Sequence, residues 1–148
     1  MANSASEPLG HAHRYATVLL GLRKTDPLSL ASAVRSGFAY RAVDRFARET
    51  ELALTVLGEL IQIPGRTLVR RKAAGRLQPE ESDRLLRASR IFGLAIDLFE
   101  GDRSAALQWL SSAQRALGDT SPMELIQTDV GAREVEKLIG RLEHGIAV

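Results

Sequence analysis

The side chains best placed to do chemistry lie in one basic run. Arg66, Thr67 and Arg70 recur at the spacing of a single helical face, and Arg71, Lys72 and Arg76 flank them. A guanidinium presents a rigid fork of donors that matches phosphate oxygens and the edge of guanine. A helix carrying such residues fits the major groove, with its first residues on base edges. Each neutralised phosphate releases counterions, so binding of this kind weakens steeply with salt. The same residues also suit a scaffold helix whose arginines are simply solvated, and the residues alone leave both readings open.

A second charged set surrounds Gly140. Arg133, Glu136, Lys137, Arg141, Glu143 and His144 cannot all be buried. A helix with an apolar stripe and a mixed-charge outer face suits a protein partner, while periodicity alone favours an ordinary surface helix. Gly140 itself is informative. A glycine inside a helix costs about 1 kcal/mol against alanine, and one placed there usually admits a close approach.

Neither set assembles an active site. Glu143 and His144 are adjacent, so on a helix they point about 100° apart. Glu134 lies ten residues from His144. No glycine-rich phosphate loop, HExxH pair or GxSxG elbow occurs. His11 and His13 lack a third ligand nearby, and a chain without cysteine has no thiolate for zinc, iron–sulfur or nucleophilic chemistry. The expectation is a binding protein, not an enzyme, with no cofactor and no metal.

The elements that must position these residues are helical throughout. Asp26-Pro27 reads as a cap followed by a first-turn proline. Leu28, Leu30, Ala31 and Val34 follow, and Gly37 stops that helix. Tyr40, Val43, Phe46 and Ala47 give a second helix over 39–50, and Leu54, Leu57, Leu60 and Ile61 a third over 51–61. Gln62-Ile63-Pro64-Gly65 breaks the chain, because a residue before proline avoids the helical region. A short helix over 65–74 follows, closed by Gly75. Pro79 opens a long helix to Phe99, Asp102 caps another over 103–110, and Ser121-Pro122-Met123-Glu124 is a strong start signal. A last helix covers 130–144. No strand-like alternation persists, so the class is all-α.

Spacing within 54–76 makes a more specific statement. Two short helices joined by a four-residue break form a helix-turn-helix when three packing demands are met. Gly58 supplies the small residue at the crossing, Leu68 the apolar plug ten positions later, and Ile63 fills the elbow. Gln62 takes the turn position that often holds glycine, and Pro64-Gly65 leave the second helix without a capping side chain, at a cost of about 1 kcal/mol.

Composition sets the bounds. The 148 residues suit one domain, or two small ones sharing a core. Net charge is +2, but it is unevenly spread: residues 66–90 hold eight basic and three acidic groups, and residues 91–148 five basic and nine acidic. Two surfaces with different partners would produce that asymmetry. No apolar run is long enough for a membrane span, and the polar start is unlike a signal peptide. The expected organisation is a tail over 1–26, a helix-turn-helix unit over 27–90 and a second helical unit over 91–148.

These motifs resemble a known family. Arg66-Thr67-Leu68-x-Arg70-Arg71-Lys72, Gly75-Arg76-Leu77 and Glu81-Ser82-x-Arg84-Leu85 resemble the Xre-like antitoxins paired with RES-domain toxins. Gly131 to Glu136, with Gly140-Arg141-x-Glu143-His144-Gly145, resembles their toxin-binding domain, of the Xre/MbcA/ParS type, as do Trp109 and the Leu117-Gly118…Pro122 stretch. The resemblance implies an Xre-like helix-turn-helix bundle joined to a small toxin-binding domain. It implies a RES-domain, NAD-consuming toxin as partner, neutralised by covering its active site with the C-terminal region. It also implies a cytoplasmic homodimer that binds operator DNA and represses its own operon. By position, Arg133, Glu136, Lys137, Gly140, Arg141, Glu143, His144, Ile146 and Val148 are the candidates for toxin contact. A transcriptional regulator whose C-terminal unit only dimerises is the alternative.

Overall fold

The computed structural model describes residues 17–145. Among the described residues, a helical turn at 17–20 is followed by α1 (Pro27–Ser36), α2 (Arg41–Thr50), α3 (Leu54–Leu60), α4 (Gly65–Ala74), α5 (Pro79–Leu98), α6 (Arg103–Ser111), α7 (Pro122–Leu125) and α8 (Asp129–Glu143), with a 3₁₀ turn at Arg115–Leu117. Among the described residues there is no strand, only isolated bridges at Ala39–Arg76 and Gln114–Thr120.

The helix starts follow from local chemistry. Side chains of Asp26, Asp102, Ser121 and Thr128 accept from backbone amides three residues on, at 3.0–3.2 Å. Each satisfies an amide that the first turn leaves unpaired. The ends are equally local. Gly75 closes α4 in the left-handed region, with its amide bonded back to Arg71 and Lys72.

The long helix α5 is the axis of the molecule, packing against α1, α6 and α8. It buries Leu85, Ala88, Ile91, Phe92, Ala95 and Ile96. Phe92 meets Phe46 of α2 edge to face at 5.2 Å. The hydrophobic cluster is continuous from Leu19 to Ile139, so both halves of the chain build one core. The division expected after residue 90 falls inside α5, which serves both units at once.

Three expectations change. Part of the segment expected as a tail over 1–26 belongs to the fold: residues 17–20 form a helical turn, and Leu19 and Leu20 are buried in the core. Arg45 Nε donates to the Val18 carbonyl at 2.9 Å and anchors that turn. An apolar run of three residues is too short to show periodicity, yet two leucines suffice to cover a gap. His11 and His13 lie outside the described residues. Leu54 is half exposed, not buried, because Glu51 adopts left-handed backbone at φ 58° and delays α3 to residue 54. Leu28 is likewise exposed, and Leu30 alone of α1 is fully buried.

Candidate functional site

The helix-turn-helix packs as its spacing requires. A Cβ on Gly58 would sit 2.9 Å from the Ile63 carbonyl and 3.2 Å from Leu68 Cδ1, so glycine is needed where α3 and α4 cross. Ile63 and Leu68 are buried. Gln62 takes the left-handed backbone at φ 57° that glycine often supplies. The turn is held by a residue that the helix-turn-helix spacing does not flag. Arg84 of α5 donates to the carbonyls of Ile61 and Gln62 at 2.9 and 3.0 Å. These are orphan acceptors at the end of α3. Pro64 gives α4 no side-chain cap, as its sequence indicates.

The six basic-run residues separate into two groups. Arg66 and Lys72 are exposed, and Arg70 is exposed with its guanidinium donating to the Thr67 hydroxyl at 3.3 Å. Arg66 and Arg70 project from the face of α4 opposite Leu68, and Lys72 lies one turn beyond Leu68 near the end of the helix. Arg71 is half-buried, and Arg76, though exposed, reaches back onto the chain after α1. Arg71 Nε meets Glu81 Oε1 at 2.8 Å, and Arg76 donates to the Gly37 carbonyl at 2.7 Å. Arg71 and Arg76 therefore position α4 and the loop after it.

Glu81 is the centre of that internal wiring. It is buried at the start of α5 and also accepts from the Gln78 amide at 2.7 Å. Burial opposes its ionisation, but the hydrogen bonds from Arg71 and Gln78 outweigh it and hold the carboxyl below the usual glutamate range. Its neighbour Ser82 accepts from the Phe38 amide at 2.8 Å and donates to the Gln78 carbonyl at 2.9 Å. The segment Glu81-Ser82-x-Arg84 thus locks α5 to α4, to the turn and to the chain after α1.

The C-terminal candidates separate in the same way. Val135, Leu138 and Ile139 bury one face of α8. Gly131 lets α8 pass the end of α7, since a Cβ there would collide with the Leu125 carbonyl. Glu136 points inward, 2.7 Å from Arg90 of α5, without hydrogen-bond geometry. Arg133 pairs with Asp129 at 2.9 Å and Lys137 with Glu134 at 3.1 Å, both on the surface. Glu134, Lys137, Gly140, Arg141 and His144 line a shallow, open depression of about 560 Å³. Apart from the backbone of α8 itself, no described atom lies within 4 Å of where a Gly140 Cβ would be. Glu143 is exposed beside it. Ile146 and Val148 lie outside the described residues.

Nothing in this arrangement unites a nucleophile, a base and an anion site. Among the described residues no group of three metal-ligating side chains converges, and no helix is long and apolar enough to cross a membrane.

Sequence comparison gives these two surfaces their context. Residues 29–90 match the antitoxin Xre-like helix-turn-helix domain, and residues 94–145 match the antitoxin Xre/MbcA/ParS C-terminal toxin-binding domain. The two matches meet inside α5. Antitoxin Xre of Yersinia enterocolitica is 38% identical over 128 residues, 86% of each chain. Antitoxin Xre of Photorhabdus laumondii is 40% identical over 93 residues, 60% of this chain and 63% of its own. A Sphingobium protein named Prs ADP-ribosylating antitoxin is 27% identical over 134 residues, 84% of each. Both matched domains are binding modules and the relatives are antitoxins, which agrees with a non-enzymatic chain. The α3–α4 unit thus lies inside the helix-turn-helix match and α8 inside the toxin-binding match, and the chain belongs to the Xre antitoxin family.

Proposed function

We propose that this antitoxin neutralises a RES-domain, NAD-consuming toxin by laying the Gly140 face of α8, with the chain end beyond it, over the toxin's active-site entrance. The observation that carries this reading is the unfilled space at Gly140. A mid-helix glycine costs about 1 kcal/mol, and nothing inside the protein requires one there. The position is suited to a partner's backbone. The family resemblance supports the RES assignment. The Sphingobium relative's name joins "ADP-ribosylating" to "antitoxin", and ADP-ribosyl transfer also consumes NAD.

The exposed residues Arg66, Arg70 and Lys72 of α4, with half-buried Thr67 beside them, read and hold operator DNA, so that the protein represses its own operon as a cytoplasmic homodimer. The net +5 of residues 66–90 against the net −4 of residues 91–148 supports separate surfaces for DNA and toxin.

The test is co-expression with a neighbouring RES-domain protein, following growth and cellular NAD. Deleting α8 would remove Val135, Leu138 and Ile139 from the core, so a surface change is needed. Gly140→Leu should keep the fold, seen by circular dichroism, and lose protection against growth arrest and NAD loss. Full protection by Gly140→Leu combined with Arg141→Ala would remove the assignment. For DNA, Arg66→Ala with Arg70→Ala should abolish retardation of the protein's own upstream region at moderate salt, and unchanged retardation would refute it.

A further inference from the structure

We propose that Val69 is a base-reading residue, its methyl groups meeting the 5-methyl of a thymine in the major groove. The inference rests on α4 docking on DNA, as above, and adds a specificity that arginine cannot supply. Val69 is 69% exposed in the middle of a ten-residue helix. At 100° per residue, Arg66, Arg70 and Ala73 lie opposite buried Leu68, and Val69 borders that stripe between Arg66 and Ala73. It follows Arg66 by three positions, so the two share a face one turn apart.

The surroundings select the occupant. Residues 65–76 hold no carboxylate, and the cations Arg66, Arg70 and Lys72 stand exposed on α4. A lone valine among cations is a poor centre for a protein interface, whose buried core is depleted of charge. Against DNA the cations hold phosphates and guanine edges, and the valine needs an apolar feature on an adjacent base. The major groove offers one such feature, the thymine methyl, and the minor groove offers none. Ala73 and Ala74 are exposed and small, so they do not hold the helix away from the base edges.

The experiment selects a bound duplex from a random library with the full chain, then replaces each thymine in turn by deoxyuridine. That change removes only the methyl. Binding by the unsubstituted chain should weaken about fourfold at one thymine per half-site, the worth of roughly one buried methyl group. Val69→Ala should bind the original duplex more weakly and no longer distinguish thymine from deoxyuridine there. Because Val69 is exposed and alanine is the better helix former, the variant keeps its fold. Indifference of the unsubstituted chain to every replacement, or discrimination kept by Val69→Ala, overturns the proposal. In that case weakened binding by Arg66→Ala shows that α4 still docks on DNA. If no duplex is enriched, or if Arg66→Ala and Arg70→Ala have no effect, the DNA reading itself fails. A Val69→Ala variant that loses toxin protection while binding DNA normally moves the residue to the protein interface and also overturns the proposal.

Discussion

Replacing Glu81 tests whether internal wiring, not the helix-turn-helix spacing alone, holds α4 in place. Its buried carboxylate takes the Gln78 amide at 2.7 Å and Arg71 Nε at 2.8 Å. A hydrogen bond to a charged group contributes about 1.5–3 kcal/mol. Removing the carboxylate loses both bonds but also relieves a desolvated charge, so Glu81→Ala should cost about 2–3 kcal/mol. That is a large fraction of the roughly 5–15 kcal/mol that stabilises a typical domain. In urea, followed by circular dichroism, the midpoint should fall by about 1 M. Glu81→Gln keeps the shape and an acceptor, so its loss should be about half as large.

The pH dependence has a definite sign. Glu81 has a folded value below its unfolded one. Its contribution is therefore fully present above the unfolded glutamate value of about 4.3, and is lost as pH falls through the folded value. Glu81→Gln should flatten the acid limb of stability against pH over that interval. An alanine variant within about 0.5 kcal/mol of the parent, or a glutamine variant with an unchanged acid limb, would refute the reasoning.

Other outcomes follow from the same geometry. Gly131→Ala should destabilise by more than about 2 kcal/mol, because the new Cβ meets the Leu125 carbonyl and neither backbone yields without separating α7 from α8; a melting curve measures it. Gly140→Ala should do the reverse, raising the melting temperature by about 3 °C for the helix-propensity gain while weakening toxin capture in a pull-down. Leu19→Ala should cost about 2–4 kcal/mol, since its side chain is fully enclosed, and a parent-like urea curve would return residues 17–22 to the tail. Arg66→Ala and Arg70→Ala should each lower the slope of log affinity against log salt by about 1, whereas Arg71→Ala should lower stability and leave that slope unchanged.

The helices were legible because their signals are local. Asp26-Pro27, Asp102 and Ser121-Pro122 cap and start their helices through bonds spanning three residues, and Gly75 ends α4 where expected. The helix-turn-helix was legible because Gly58, Ile63 and Leu68 meet across a fixed short separation. Leu54 and Leu28 misled because each fits an apolar pattern at a helix start, where the first turn overhangs the core and the side chain reaches solvent. Leu19 and Leu20 were hidden because burial of so short a segment depends on a gap left by distant helices.

By itself, the sequence determined the helical class, the helix-turn-helix and the candidate charged residues, since periodicity, caps and crossing contacts are written within a few positions. Only the tertiary structure sorted those charges. It turned Arg71 to Glu81, Arg76 to the Gly37 carbonyl and Glu136 to Arg90, over separations of 10, 39 and 46 residues. It also left Arg66, Arg70 and the Gly140 face open. An arginine facing a carboxylate and an arginine facing water look alike along the chain. What separates them is the position of the partner helix, which long-range packing sets.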